Sequence, residues 1–286
     1  MKILIIQEKG RNVKNENFRE ALNIQRSLIK VDVECVVWGL NYDNFSIPFD
    51  EIQKDCDVIL LLENYEQTPW LPNLTEVNKL KLFWSIDSHC VLGNHISICK
   101  KNKIDIILNA IESDSSAFKK HKTYYFPNAY PSDLIYHKPE IIKKYDVGFC
   151  GGDGNRTGWI NFLAQNINFK RDNFVIGDEM VDAINSYRIH FNRNIANDIN
   201  YRTFETVGMK TLMLTNYTEN LENLFDIGKH LVTYDSQQDL LDKVNYYIKN
   251  EDERKVIEEA GYNHVIKHHT YDVRVLELLD IIKENI

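Results

Sequence analysis

The sequence predicts an α/β protein built as two parallel-sheet domains, and three observations predict it. Short apolar runs alternate with longer amphipathic segments along all 286 residues. Runs such as Val58-Ile59-Leu60-Leu61-Leu62 are apolar on both faces, as strands covered by helices on each side require. The strand–helix series also starts twice, each time with a strand and a turn, so two Rossmann-like domains facing a cleft are expected.

In the first half the expected strands are 2–6, 32–38, 57–62, 81–85, 105–109 and 123–126, with helices over 17–29 and 95–101. The segment 127–144 holds three of the six prolines and reads as a linker, because proline discourages continued helix or sheet. The pattern restarts with a strand at 146–150, a glycine-rich turn and a helix at 155–165. Further strands are expected at 173–176, 188–192, 211–215 and 230–234. Helices are expected at 200–207, 219–225, 238–249, 252–268 and 271–286. The domains are therefore drawn as 1–140 and 141–269, with a last helix, 270–286, packing back on the first.

Composition narrows the class. An apolar fraction of 43% and twelve glycines suit a globular core and exclude a fibrous repeat. The net charge of −8, with both signs interleaved, disfavours a nucleic-acid partner held through phosphates. Cys35, Cys56, Cys90, Cys99 and Cys150 are odd in number and scattered, without a C-x-x-C pair, which fits a reducing, cytoplasmic setting. The opening apolar run is too short for a signal peptide, and no stretch is long enough to span a bilayer.

Two segments carry the chemistry. Phe149-Cys150-Gly151-Gly152-Asp153-Gly154-Asn155-Arg156-Thr157-Gly158 lies between an apolar strand and an amphipathic helix. Glycines there let a ligand approach the backbone, the helix start favours an anion, and Arg156 adds a cation. A plain strand-to-helix turn explains the same residues equally well, since the spacing is not G-x-G-x-x-G. The second segment runs from Asn200 to Thr215 and places Arg202 and Glu205 at i, i+3 on one helix face, with Gly208 ending the helix. A carboxylate for ribose hydroxyls beside a guanidinium for phosphate suits a nucleotide; a helix-surface ion pair is the plainer explanation.

The run from His190 to Arg274 resembles the C-terminal domain of group 1 (GT-B fold) glycosyltransferases, in the spore-maturation-protein-like (CgeB-like) branch. The resemblance rests on Asn200-Tyr201-Arg202-Thr203-Phe204-Glu205, Gly208, Leu224-Phe225, Gly228-Lys229, Tyr234 and Leu240. It continues through Glu253-Arg254, Gly261 and His269-Thr270-Tyr271. It implies a donor site made of Gly151, Gly152, Arg156, Asn200, Arg202, Thr203 and Glu205, with Glu205 on the ribose and Arg202 also serving catalysis. Asn197 stands where the wider group carries the first glutamate of its pair, so the first acid of that pair is absent.

The first half resembles the family more weakly, through Trp84-Ser85-Ile86-Asp87-Ser88-His89 after an apolar strand. Asp87 or His89 is the candidate base on the acceptor side, against the alternative that Asp87 caps a helix and His89 is a loop residue. Gly10, after the first strand, is the remaining acceptor-side candidate. No metal site is expected: Asp55-Cys56-Asp57 reads as the polar start of a buried strand, and His264, His268 and His269 lack a further ligand at motif spacing.

The resemblance implies transfer of a sugar from a nucleoside diphosphate donor, UDP-sugar by default, to a hydroxyl acceptor. That acceptor is a glycan, lipid-linked glycan, protein or modified base. No cofactor or metal is implied, and retention of anomeric configuration is. A nucleotide-sugar epimerase and a non-catalytic sugar-nucleotide-binding subunit of a glycan or DNA-modification complex are the alternatives.

Overall fold

The computed structural model describes residues 1–64 and 70–286. In chain order the first part contains β1 (Lys2–Ile6), α1 (Glu20–Lys30), β2 (Glu34–Trp38), α2 (Phe49–Ile52), β3 (Val58–Leu62), β4 (Leu80–Ser85), α3 (Ser88–Lys101), β5 (Ile106–Asn109) and β6 (Lys122–Tyr125). There follow β7 (Tyr145–Gly151), α4 (Thr157–Asn166), β8 (Phe169–Asn173), α5 (Asp178–Asn185), β9 (Tyr187–Phe191), α6 (Tyr201–Gly208), β10 (Leu212–Asn216), α7 (Leu221–Leu224), β11 (Val232–Tyr234), α8 (Gln237–Lys249), α9 (Glu251–His268) and α10 (Tyr271–Lys283).

The chain divides into two compact units. Unit 1 is Met1–Asn128 with Tyr271–Ile286, and unit 2 is Ala129–Thr270. Unit 1 holds a six-stranded sheet in the order β2-β1-β3-β4-β5-β6, every pair parallel. All five residues of β3 are buried, as its unbroken apolar run requires. Leu4, Ile6, Ile59, Leu61, Phe83 and Ile107 form a core on one sheet face with Trp38, Cys99 and Phe118. Helix α10 closes unit 1 against α1: Asp272 takes a hydrogen bond from Ser27 Oγ (2.6 Å) and pairs with Lys30 Nζ (2.8 Å).

Unit 2 has a five-stranded parallel sheet in the order β11-β10-β9-β7-β8. Val147, Phe149, Ile189, Phe191, Leu212 and Leu214 supply its core with Ile160, Leu163, Leu240 and Val244 from the covering helices. The proline-marked stretch 129–144 contains no helix or strand, yet it is fastened to unit 2. Lys143 Nζ donates to Tyr187 O (3.1 Å), Lys210 O (2.9 Å) and Thr211 Oγ1 (2.9 Å). Lys138 N donates to Asn185 Oδ1 (2.8 Å), and Asn185 Nδ2 returns a bond to Tyr136 O (3.1 Å).

One local expectation is corrected. The strand expected at 173–176 lies earlier, at Phe169–Asn173, a polar edge strand; Phe174 turns out of the sheet at φ +55° and is 77% exposed. The left-handed residue beyond α6 is Lys210 at φ +50°, and Gly208 ends the helix as expected. Its glycine identity comes from packing: a Cβ there would lie 2.4 Å from the Tyr130 ring.

Candidate functional site

In both sheets the chain reverses its direction of winding, at β1/β3 in unit 1 and at β7/β9 in unit 2. Strand ends that diverge at such a point leave a crevice beyond their carboxyl termini. The residues singled out in the second half gather around that edge of unit 2.

The glycine loop leaves β7 at Gly151, whose φ of +156° lies outside the range ordinary side chains prefer. The loop is braced from several directions. Arg156 donates through Nη1 to Gly152 O (3.1 Å) and through Nε to Arg193 O (2.8 Å), tying it to the segment after β9. Asp153 pairs with Arg171 of β8, with Nε donating to Oδ1 at 3.1 Å. The Arg193 guanidinium lies 4.5 Å from the Trp159 ring centroid. Arg156 thus spends two donors on backbone carbonyls, and its first structural effect is to hold two loops together.

A second set of contacts holds α6 against the sheet. His190 is fully buried in β9, accepts the Cys150 N–H at Nε2 (3.3 Å) and faces Thr206 Oγ1 with Nδ1 (2.6 Å). Because Nε2 is an acceptor, the ring proton sits on Nδ1. Burial, with the Arg202 charge, holds the ring neutral by pushing its pKa down to about 3. His190 therefore links β7, β9 and α6. Arg202 and Glu205 are joined as an i, i+3 ion pair, and Arg202 Nε donates to Cys150 O (3.2 Å). Their side chains are only 24% and 10% exposed, so this is no solvated surface pair.

Asparagines complete the edge. Asn192 Nδ2 donates to Thr215 Oγ1 (3.1 Å) and Asn194 Oδ1 (2.9 Å), Asn200 Nδ2 reaches Asn192 Oδ1 (3.4 Å), and Tyr234 Oη donates to Asn192 O (2.7 Å). Asn200 Oδ1 and Thr203 Oγ1, at the amino end of α6, are buried and have no hydrogen-bond partner among the described residues. Leaving such oxygens unpaired costs on the order of 1–3 kcal/mol each. Asn197, at the position of the absent acid, donates to the Glu219 carboxylate (2.8 Å).

In unit 1, Asp87 stands at the amino end of α3 but makes no side-chain capping bond; its carbonyl accepts the amides of Cys90 (2.9 Å) and Val91 (3.3 Å). A carboxylate oxygen of Asp87 lies within 4.8 Å of a ring nitrogen of His89. His89 Nδ1 is shielded from solvent without a partner among the described residues. Gly10 is buried in the loop after β1, yet a Cβ there would meet its nearest neighbours at an ordinary 3.4–3.5 Å, so the backbone does not demand glycine.

The residues set aside in the sequence have structural partners. Asp57 accepts the Lys2 amide (2.7 Å) at the opposite, amino end of the sheet. His264 and His269 both present Nε2 to Leu224 O, at 2.7 and 3.0 Å.

Sequence reasoning missed His190, Asn192 and Arg193. The His190 partner Cys150 lies 40 positions away, and a lone histidine in an apolar strand carries no pattern of its own.

Residues 139–280 match the family model described as glycosyl transferase-like, which spans most of unit 2 and the first ten residues of α10. No curated protein matches the chain in sequence. Among solved structures, the sucrose-phosphate synthase of Thermosynechococcus elongatus superposes with a TM-score of 0.71 at 8% identity, covering 99% of this chain and 98% of that one. Anabaena HepE in complex with UDP-glucose gives 0.66 at 10% identity, covering 99% and 100%. An α-glucosyltransferase in complex with UDP and a 13-mer DNA containing a HMU base gives 0.71 at 13% identity, covering 99% of each chain. The chain thus carries a glycosyl transferase-like domain over residues 139–280 and has, throughout its length, the GT-B fold of the glycosyltransferases it resembles.

Proposed function

We propose that the protein transfers a sugar from a nucleoside diphosphate donor to a hydroxyl acceptor, without a metal and with retention of anomeric configuration. The observation that carries this reading is the convergence of Gly151, Gly152, Arg202 and Glu205, with the unpaired Asn200 and Thr203 oxygens, at the β7/β9 edge. Glu205 takes the ribose hydroxyls. Arg202 and the amides at the start of α6 stabilise the charge that grows on the departing diphosphate, the main electrostatic task of such a transfer. Arg156 holds the glycine loop in position and turns its remaining donors to phosphate. Asp87 or His89 accepts the proton of the acceptor hydroxyl.

Solved neighbours bound to UDP and UDP-glucose support UDP as the donor nucleotide. The motif from Asn200 to Glu205 supports the spore-maturation-protein-like branch, and five free cysteines fit a reducing, cytoplasmic setting. No helix among the described residues is long and apolar enough to cross a membrane. The test is a thermal-shift screen of UDP-, GDP-, ADP- and TDP-sugars, since a ligand at a hundred times its dissociation constant stabilises by about 2.7 kcal/mol. The hit is then offered glycan, lipid-linked glycan, protein and hydroxymethylated-DNA acceptors. A donor that binds but is never transferred would identify a binding subunit, and product formed without acceptor would identify an epimerase.

A further inference from the structure

Glu63 follows β3 directly, at the winding reversal of the unit 1 sheet. Its side chain reaches the next strand end. Glu63 Oε2 accepts two consecutive backbone amides, Ile86 N–H (2.8 Å) and Asp87 N–H (2.7 Å). Those amides belong to the turn between β4 and α3 that carries Asp87 and leads into His89 at the start of α3. The same oxygen lies 3.3 Å from His95 Nε2, on α3. His95 Nδ1 is in turn 2.8 Å from Ser85 Oγ, the last residue of β4.

The backbone of Glu63 is held as firmly. Its N–H donates to Trp84 O (3.1 Å), and its carbonyl accepts Gln7 Nε2 (3.0 Å), which also donates to Glu20 Oε2 (2.8 Å). Gln7 Oε1 accepts the Ala21 amide (2.9 Å), while Asn64 Oδ1 accepts the Glu8 amide (2.7 Å). The network joins the loop after β1, the start of α1, the end of β3 and the β4–α3 turn. A cavity of about 10 Å³, the size of one water, is lined by Glu63, Asn64 and His95 with Leu61, Phe83 and Ile98.

We propose that Glu63 is a positioning residue for the acceptor-side turn: its carboxylate, flanked by His95, fixes Ile86 and Asp87 and so aims Asp87 and His89. The inference rests on the reading that this turn serves the acceptor. Geometry gives it a charge dependence. The titratable groups facing Glu63 are Asp87 on the turn, His95 on α3, and Glu20, itself paired with Arg19, at the start of α1. Desolvation, then the negative charges of Asp87 and Glu20, pushes the Glu63 carboxyl up to about 7 against the pull of the two amides. Burial pushes His95 down to about 4, so near neutral pH that ring stays uncharged while Glu63 titrates. The neutral His95 ring packs beside the carboxylate, with Nε2 3.3 Å from Oε2. Ionised Glu63 grips the amides; protonated Glu63 grips them less.

The test is a residue-resolved NMR pH titration of the whole chain, which needs no substrate. The Ile86 and Asp87 amide protons are expected to move upfield together on acidification, with a common midpoint near pH 7. Glu63→Gln should abolish that titration, while Asp87→Asn should keep it with a lower midpoint. Amides that do not titrate, or that titrate alike in Glu63→Gln, overturn the inference. In turnover assays Glu63→Ala should lower kcat by on the order of tenfold or more, with the KM for the donor sugar unchanged. Glu63→Gln should recover most of that loss and flatten the pH profile of kcat near neutrality. A loss in Glu63→Ala carried wholly by donor KM would also overturn the positioning role. Transfer that survives Asp87→Asn and His89→Ala would instead remove the turn from the chemistry, a separate failure from amides that ignore Glu63.

Discussion

Replacing Glu63 by glutamine should stabilise the protein at alkaline pH and leave it nearly unchanged in mild acid. The Glu63 side chain is 14% exposed, and its pKa rises from 4.5 to about 7 on folding. A group raised in this way contributes stability that is fully present below its unfolded pKa and is lost as pH climbs through the folded one. The rise corresponds to about 3 kcal/mol, at roughly 1.4 kcal/mol per tenfold. Glutamine stays neutral and keeps an oxygen where both amides converge, so it mimics the protonated acid at every pH. Urea unfolding at pH 5 and pH 8.5, followed by tryptophan fluorescence, measures the difference; Trp38, Trp70 and Trp84 of the four tryptophans lie in unit 1. The variant should exceed the wild type by about 2–3 kcal/mol at pH 8.5 and match it within about 1 kcal/mol at pH 5. His95 is present in both proteins, so the difference isolates Glu63. A gap that does not change with pH, or a wild type that is the more stable at pH 8.5, would refute the reasoning.

Other expectations follow from the same contacts. His190 and His95, with pKa values of about 3 and about 4, are depressed bases whose stabilisation is present above pH 6.5 and lost as pH falls. In the Glu63→Gln background, where the Glu63 term no longer opposes them, the urea midpoint should therefore drop between pH 6.5 and pH 4.5; a flat profile would contradict their buried, neutral state. Gly208→Ala forces a Cβ to 2.4 Å from the Tyr130 ring and should cost about 1–3 kcal/mol, with Tyr130→Leu recovering part of the loss in a double-mutant cycle. Arg202→Ala should lower turnover by about tenfold or more at saturating donor, and wild-type turnover would remove its role at the diphosphate.

The strands were legible because parallel strands buried on both faces are unbroken apolar runs, as in Val58–Leu62. The edge strand Phe169–Asn173 is polar and was displaced toward the apolar Phe174, Val175 and Ile176, where the backbone turns away. Helix α5, eight residues long, offered too short a period to stand out between two strands. Around the site, Arg202 and Glu205 were legible as neighbours on one helix turn. His190 bonds the Cys150 amide across 40 positions and Glu63 bonds the Asp87 amide across 24, so only the folded chain brings those partners together. The glycine loop teaches a further point: Arg156, expected at a phosphate, is first of all bonded to the carbonyls of Gly152 and Arg193.

Calorimetric titration of UDP and its sugar conjugates into the wild type and into Glu205→Ala tests the donor site most directly. The account predicts saturable binding to the wild type and at least about tenfold weaker binding to the variant, the loss of one charge-assisted hydrogen-bonding group. Equal affinity in the two proteins would contradict it.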